Sequence, residues 1–256
     1  MATIFYDMSL VDESTGNMKM AIKYVQFQSG FGVPNPSPFC MKGEIFLKMA
    51  GVEYKTEIMD DPRKAPKGKL PFLVDNGIEV ADTTLIRRHL EDKYGADFDA
   101  GLTEEQRAIS HAMARMVEER LYWVTLYSRW IDDHNWPIIK DFWFGSMPPI
   151  IRNIVPVVAQ RQVKNGLQAH GIGRHAEEDI YAFGAADLSA LSAQLGQNPF
   201  MFGDRPSSLD AIAYPIIANS LIEKLPGPML DAAKLHSNFV PYVQRCSTLW
   251  FPDDQH

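Results

Sequence analysis

The hydrophobic period of this chain changes once, near residue 100, and that change limits the folds open to it. Before it, Ile22 to Phe27 alternates and is rich in β-formers, which predicts a strand. Pro38 to Ala50 then runs at helical spacing and stops at Gly51, and Val52 to Ile58 alternates again. Leu70–Val74 and Ile78–Val80 are short apolar runs around Asp75-Asn76-Gly77, a strong hairpin signal. Asp82-Thr83-Thr84 offers N-cap side chains to a helix ending near Tyr94-Gly95. After residue 100 no convincing alternating strand follows. Thr103-Glu104-Glu105-Gln106 has capping-box form and leads a run in which Ile109, Met113, Met116, Val117 and Leu121 recur at helical spacing. Further helical stretches lie near Ile150–Leu167, Glu177–Leu195, Leu209–Leu221 and Pro241–Ser247. The expected organisation is an extension over residues 1–21, a compact α/β domain over 22–97 and an all-helical domain over 103–256.

Bulk properties narrow the function. A formal net charge of −7 over 256 residues, with no Lys/Arg block, argues against nucleic acid as the main partner. Two cysteines far apart, Cys40 and Cys246, make no disulfide framework and suit a reducing, cytoplasmic setting. The first residues, MATIFYDMSLVDES, are acidic where a signal peptide would be basic, and no apolar stretch is long enough to span a bilayer.

The loop Gly30–Pro38 delivers Ser37-Pro38-Phe39-Cys40 to a helix start, with the spacing of a C-x-x-C pair whose first cysteine has become serine. Ser37 is a good N-cap and Pro38 suits the first helical position, so the simplest reading of Ser37 is a cap. The functional reading uses the same geometry: a free helix N-terminus favours an anion, and a hydroxyl there can donate to a bound thiolate and lower its pKa. Nothing nearby supplies a base that would make Ser37 a nucleophile. Cys40, one turn in, is by default a buried inert thiol, and reactive only if exposed. Leu70-Pro71 opens a strand, where a cis bond is possible and trans is commoner. Asp82 and Thr83 read either as a helix cap or as ligands for an ammonium and a carboxylate. Ser207-Ser208-Leu209-Asp210 has capping-box spacing. Aromatics crowd Tyr122 to Phe144, forming either a core or interface, or an apolar substrate cleft. The histidines make no metal set, and no phosphate-binding or nucleophile-elbow motif is present.

Taken in order, these residues resemble the glutathione transferase superfamily. Ser37-x-x-Cys40 is similar to its serine-type site, Gly68-Lys69-Leu70-Pro71 to the signature before its cis-proline, and Asp82-Thr83 to its acidic-Ser/Thr pair. The G-x-x-x-S-x-x-D from Gly203 to Asp210 resembles the capping signature of its C-terminal domain. "SPFCMKGEIFLKMAGVEY" and the Trp/Tyr-rich stretch beyond residue 120 resemble the failed-axon-connections and metaxin-like branch, some of whose members serve in organellar protein import or other non-enzymatic roles. The resemblance implies a thioredoxin-like N-terminal domain, an all-helical C-terminal domain and a homodimer. It implies glutathione as co-substrate, no metal, and an apolar or aromatic small-molecule electrophile as partner. Ser37 would then assist the glutathione thiolate, and the segment Lys69, Leu70, Pro71 would pair with the tripeptide. Asp82 with Thr83 would bind the γ-glutamyl end, and the helix bearing Trp123, Tyr127 and Trp130 would face the electrophile.

Overall fold

The computed structural model describes residues 21–252. Most of the expected extension, residues 1–20, lies outside the described residues. The chain divides into two compact units, one comprising the described part of Met1–Gln28 with Phe39–Phe98, the other Ser29–Pro38 with the chain from Asp99 onward. The loop ahead of the first helix therefore groups with the helical unit, although in sequence it interrupts the α/β one.

In the first unit, β1 (Ile22–Gln26), α1 (Pro38–Met49) and β2 (Tyr54–Ile58) form a crossover whose strands pair in parallel. β3 (Phe72–Asp75) and β4 (Ile78–Ala81) add an antiparallel hairpin, giving the sheet order β2-β1-β3-β4, and α2 (Thr83–Tyr94) follows. This is the expected thioredoxin-like arrangement. Asn76 (φ 49°) and Gly77 (φ 82°) both take positive φ, as a two-residue hairpin turn requires. Register sets the core: Val25, Phe72 and Ala81 are paired neighbours across three strands and pack with Cys40, Ala65 and Leu70. β2 is one edge of the sheet, where the exposed Lys55 and Glu57 discourage pairing with another chain.

Asp75 ends β3 with a buried carboxylate. His89 Nε2 at 2.6 Å, Lys93 Nζ at 2.7 Å and the Tyr94 hydroxyl at 2.9 Å, all from α2, converge on its Oδ2. Burial pushes this carboxyl up, but these three partners outweigh it and hold it below the usual carboxylate range. The same contact pushes the Tyr94 phenol, already raised by burial, up to about 12.

The second unit is helical, as expected. α3 (Glu104–Met116) opens on the Thr103–Gln106 capping box and runs through a π turn at Val117–Leu121 into α4 (Tyr122–Trp130). The even amphipathic stripe expected here is broken at that turn. Val117 and Leu121 are buried and Ile109 is 38% exposed. The wider turn also buries Glu118 against Arg115 and carries Arg120 to the fully buried Asp187. α5 (Trp136–Phe144), α6 (Pro149–His170), α7 (Glu177–Leu195), α8 (Ser208–Ser220), α9 (Pro228–Lys234) and α10 (Phe239–Trp250) complete it.

α8 is the axis of this unit and is buried along its whole length. Its N-terminus is the expected capping box: Asp210 accepts from the Ser207 amide (2.8 Å) and hydroxyl (2.9 Å), from the Met201 amide (2.9 Å) and from the Tyr242 hydroxyl (3.0 Å). Asp99 accepts from the Ser208 amide and hydroxyl, both at 3.0 Å. Burial raises the Asp210 carboxyl, and the four donors pull it partly back.

Candidate functional site

Within the α/β unit, three pieces of chain meet at one end of the sheet. Phe72 pairs with Ala81, so Pro71 and Asp82 flank the last pair of the β3–β4 hairpin. Cys40 in the first turn of α1 packs in the same cluster as Leu70, Phe72 and Ala81. The Leu70–Pro71 bond is cis, which sequence left open. Leu70 and Pro71 are buried and Lys69 is exposed.

Asp82 performs the capping role expected of it, accepting from the Thr84 amide at 2.7 Å. It does so at φ 95°, a region that residues other than glycine rarely enter. Such strain costs on the order of 1–3 kcal/mol and is characteristic of ligand-holding positions. The Asp82 side chain is exposed while Thr83 beside it is buried.

The N-terminal end of α1 carries the positive pole of the helix dipole. Pro38 occupies its first position and no acidic residue sits in its first turn to neutralise the positive end of the helix. Ser37 stands directly before it, half-buried, and its amide donates to Asn35 Oδ1 at 2.9 Å. Cys40 is fully buried, as the default reading has it, which removes the exposure that thiol exchange needs.

The loop ending in Ser37 is lodged in the helical unit by residues that sequence reading passed over. Arg129 of α4, itself buried, donates to the Pro36 carbonyl at 2.6 Å and to Asn219 at its Oδ1 (2.7 Å) and its carbonyl (3.2 Å). Asn219 of α8 donates in turn to the Asn35 carbonyl at 3.3 Å. None of these acceptors is charged. Burial pulls the guanidinium down to about 10, with Tyr122 opposing, so it stays a cation at neutral pH. Upstream, Phe31 packs on Phe142 with ring centres 4.4 Å apart, and a side chain at Gly30 would strike that same ring. Phe31 and Val33 join Trp130, Trp136 and Trp143 around Ile139, Ile222 and Leu225. The available signals were an arginine inside an aromatic run and an asparagine inside the apolar helix Leu209–Leu221.

The three expected electrophile-facing aromatics share one face of α4, and each has a partner within the helical unit. Trp123 stacks on His170 of α6, 4.4 Å between ring centres. Tyr127 donates to Glu177 of α7 at 3.0 Å, and burial with that carboxylate pushes its phenol up to about 12. Trp130 packs on Trp136 and Phe144. Helix packing thus occupies part of this face, while Trp123 and Tyr127 remain partly exposed. Among the described residues no cluster of His, Cys, Asp or Glu could hold a metal ion.

A thioredoxin-like unit with a cis-proline, followed by a helical unit built on a buried capping box, is the architecture of a glutathione transferase. The description "Glutathione S-transferase N-terminal domain" matches residues 38–135, and "Glutathione S-transferase, C-terminal domain" matches residues 184–246. The chain is 32% identical over 224 residues to the isoprene-epoxide–glutathione S-transferase of Rhodococcus sp. strain AD45, covering 84% of this chain and 93% of that one. It belongs to the glutathione S-transferase family. It is also 33% identical to Failed axon connections of Drosophila melanogaster, covering 93% of this chain and 60% of that protein. To human Metaxin-1 it is 30% identical, covering 94% of this chain and 54% of that protein. The chain therefore spans little more than half the length of these two relatives. Among solved structures it is similar to the beta-etherase LigF of Sphingobium sp. strain SYK-6, with a TM-score of 0.61 at 16% identity, covering 89% of this chain and 95% of that one. It is likewise similar to a Pseudomonas fluorescens glutathione transferase family member with two glutathione bound, with a TM-score of 0.59 at 14% identity and 92% of each chain covered. At these identities the likeness is one of fold.

Proposed function

We propose that this protein is a glutathione transferase that joins the glutathione thiolate to a small apolar or aromatic electrophile. Ser37 donates its hydroxyl to the thiolate at the positive end of α1, favouring the ionised sulfur. The backbone at Leu70 beside Pro71, with Lys69, takes the tripeptide, and Asp82 with Thr83 takes its γ-glutamyl end. Trp123, Tyr127 and Trp130 contribute the apolar wall toward the electrophile. The observation that carries the reading is the cis Leu70–Pro71 bond beside Asp82 at φ 95°, at the sheet end where the first turn of α1 carries no acidic residue. Likeness to an isoprene-epoxide transferase over nearly its whole length points to epoxides as the first electrophiles to try. The family resemblance further implies a homodimer, and the two distant cysteines suit a reducing cytoplasmic setting.

Calorimetry with glutathione, and turnover of a small apolar epoxide and of a general aryl halide, test this directly. Binding at millimolar glutathione or tighter, with turnover lost in Ser37→Ala, is expected; absence of both ends the proposal. A second reading, a glutathione transferase fold kept for non-catalytic binding, draws support from the likeness to Failed axon connections and Metaxin-1. Glutathione binding without turnover of either electrophile favours it.

A further inference from the structure

Helix α6 turns its aliphatic side chains to water. Ile150, Ile151, Ile154, Val157 and Val158 are 46–77% exposed. At the helical repeat they fall within one arc, roughly 120° wide. Pro156 and Leu167, on the opposite side, are the helix's buried residues. Isolated exposed aliphatics need no explanation, but five on one face of one helix do.

The charges on the same face give the patch a direction. Arg161 and Lys164 continue the arc one to two turns toward the C-terminus, both exposed and engaging no acidic group among the described residues. From Phe142 to Ala176 the sequence contains no Asp or Glu, although the whole chain carries 32 acidic residues against 25 basic ones. An acidic protein has thus set apart one helix whose exposed arc is aliphatic in its first half and whose charges along that arc's second half are all basic.

A second copy of the chain fits this face poorly. Paired side by side in parallel, the helices would set their basic halves against each other. Paired antiparallel, they would leave Arg161 and Lys164 without a counter-charge. A bilayer offers the two environments in the right order: an apolar boundary for the first half, and a layer of anionic headgroups for the second. The aliphatic stretch from Ile150 to Val158 is about 12 Å long at 1.5 Å per residue, far short of a hydrocarbon core. No helix among the described residues is long and apolar enough to cross a membrane, so the contact would lie on the surface.

We propose that the exposed face of α6 docks on an anionic lipid surface, with Ile150, Ile154 and Val157 entering at the headgroup boundary and Arg161 and Lys164 binding lipid phosphates. The test is co-sedimentation of the full chain with phosphatidylcholine vesicles, with and without phosphatidylglycerol. Binding is expected only to the anionic vesicles, and raised salt should weaken it. The Ile154→Asp/Val157→Asp double variant should lose at least tenfold in partitioning. Arg161→Gln/Lys164→Gln should lose about tenfold or more, since each basic residue contributes appreciably near a charged surface. All these positions are exposed, so thermal unfolding of each variant should match the parent and exclude misfolding as the cause. The proposal fails if the parent stays in the supernatant with anionic vesicles, or if both double variants bind as it does. It also fails if light scattering finds a dimer that Ile154→Asp/Val157→Asp dissolves, because the face then belongs to a second copy.

Discussion

The stretch carrying Ser37 and the stretch carrying Pro71, Asp82 and Thr83 are held by different forces. Pro71 and Asp82 are fixed locally, by strand register and by a helix cap two residues away. Ser37 is fixed remotely, by a buried arginine and an asparagine that grip the two carbonyls before it from helices far along the chain. A register built from many weak backbone bonds tolerates the loss of any one of them. A loop end gripped at successive buried carbonyls by one guanidinium and one amide is more sensitive to losing either donor. The two halves of the proposed chemistry should therefore fail in different ways.

Arg129→Met should have the largest effect, since it keeps the bulk and removes the guanidinium bonds to Pro36 and Asn219. About 2–3 kcal/mol of unfolding free energy should go, from orphaned buried acceptors. Turnover should fall at least as far as in Ser37→Ala; urea melts paired with kinetics check both. If Arg129→Met is stable and active, the loop is held by its aromatic contacts instead and the contrast collapses.

Ser37→Ala removes the hydroxyl and leaves the grip on the loop intact. Turnover should fall by about a hundredfold, as for loss of one donor to a developing or held anion, with stability changed by less than about 1 kcal/mol. The thiolate of bound glutathione, followed by its ultraviolet absorbance, should then form only at higher pH.

Asp82→Gly is a smaller perturbation of the other limb. Glycine accepts the positive φ without strain but gives up the cap, so the two effects should nearly cancel in stability, within about 1 kcal/mol. On the proposed role of the carboxylate in binding, the glutathione KM should rise while kcat with saturating glutathione holds. A fall in kcat alone would move Asp82 from binding to chemistry.

The smallest expected effect concerns acid. The Asp75 carboxyl is held below its unfolded value, so its contribution to the α/β unit is complete above about pH 4 and is lost as pH falls through the folded value. The Asp210 carboxyl is raised, so its protonation favours the folded helical unit as pH falls. Acid should loosen the α/β unit first, and Asp75→Asn should flatten that dependence. Hydrogen exchange by unit as a function of pH reads the order.

What was readable in the sequence was what neighbours dictate. Asn76-Gly77, the Thr103–Gln106 box and Asp82 as a cap each rest on residues within four of one another, and each stands where the pattern put it. The Ser207–Asp210 box was equally clear, though its donors Met201 and Tyr242 were not, since they arrive from outside the motif. The π turn at Val117–Leu121 has no local signature. It goes with the bond from Arg120 to Asp187, a partner 67 positions away. The grip on the Ser37 loop escaped for the same reason: a lone arginine among aromatics reads as surface until its neutral acceptors are seen. α5 and α9, short and aromatic or proline-led, fell below what periodicity resolves.

The position of Asn219, 184 residues beyond the Asn35 carbonyl it holds, also sets an order in time. At roughly 5–20 residues per second of synthesis, the serine leaves the ribosome about ten to forty seconds before the last of its anchors exists. Until then the Pro71 limb has all the strands it needs, while the Ser37 limb still lacks the Asn219 amide. A chain cut short after Phe98 would keep the β3–β4 hairpin with Pro71 and Asp82 and lack both Arg129 and Asn219, the anchors of the Ser37 loop.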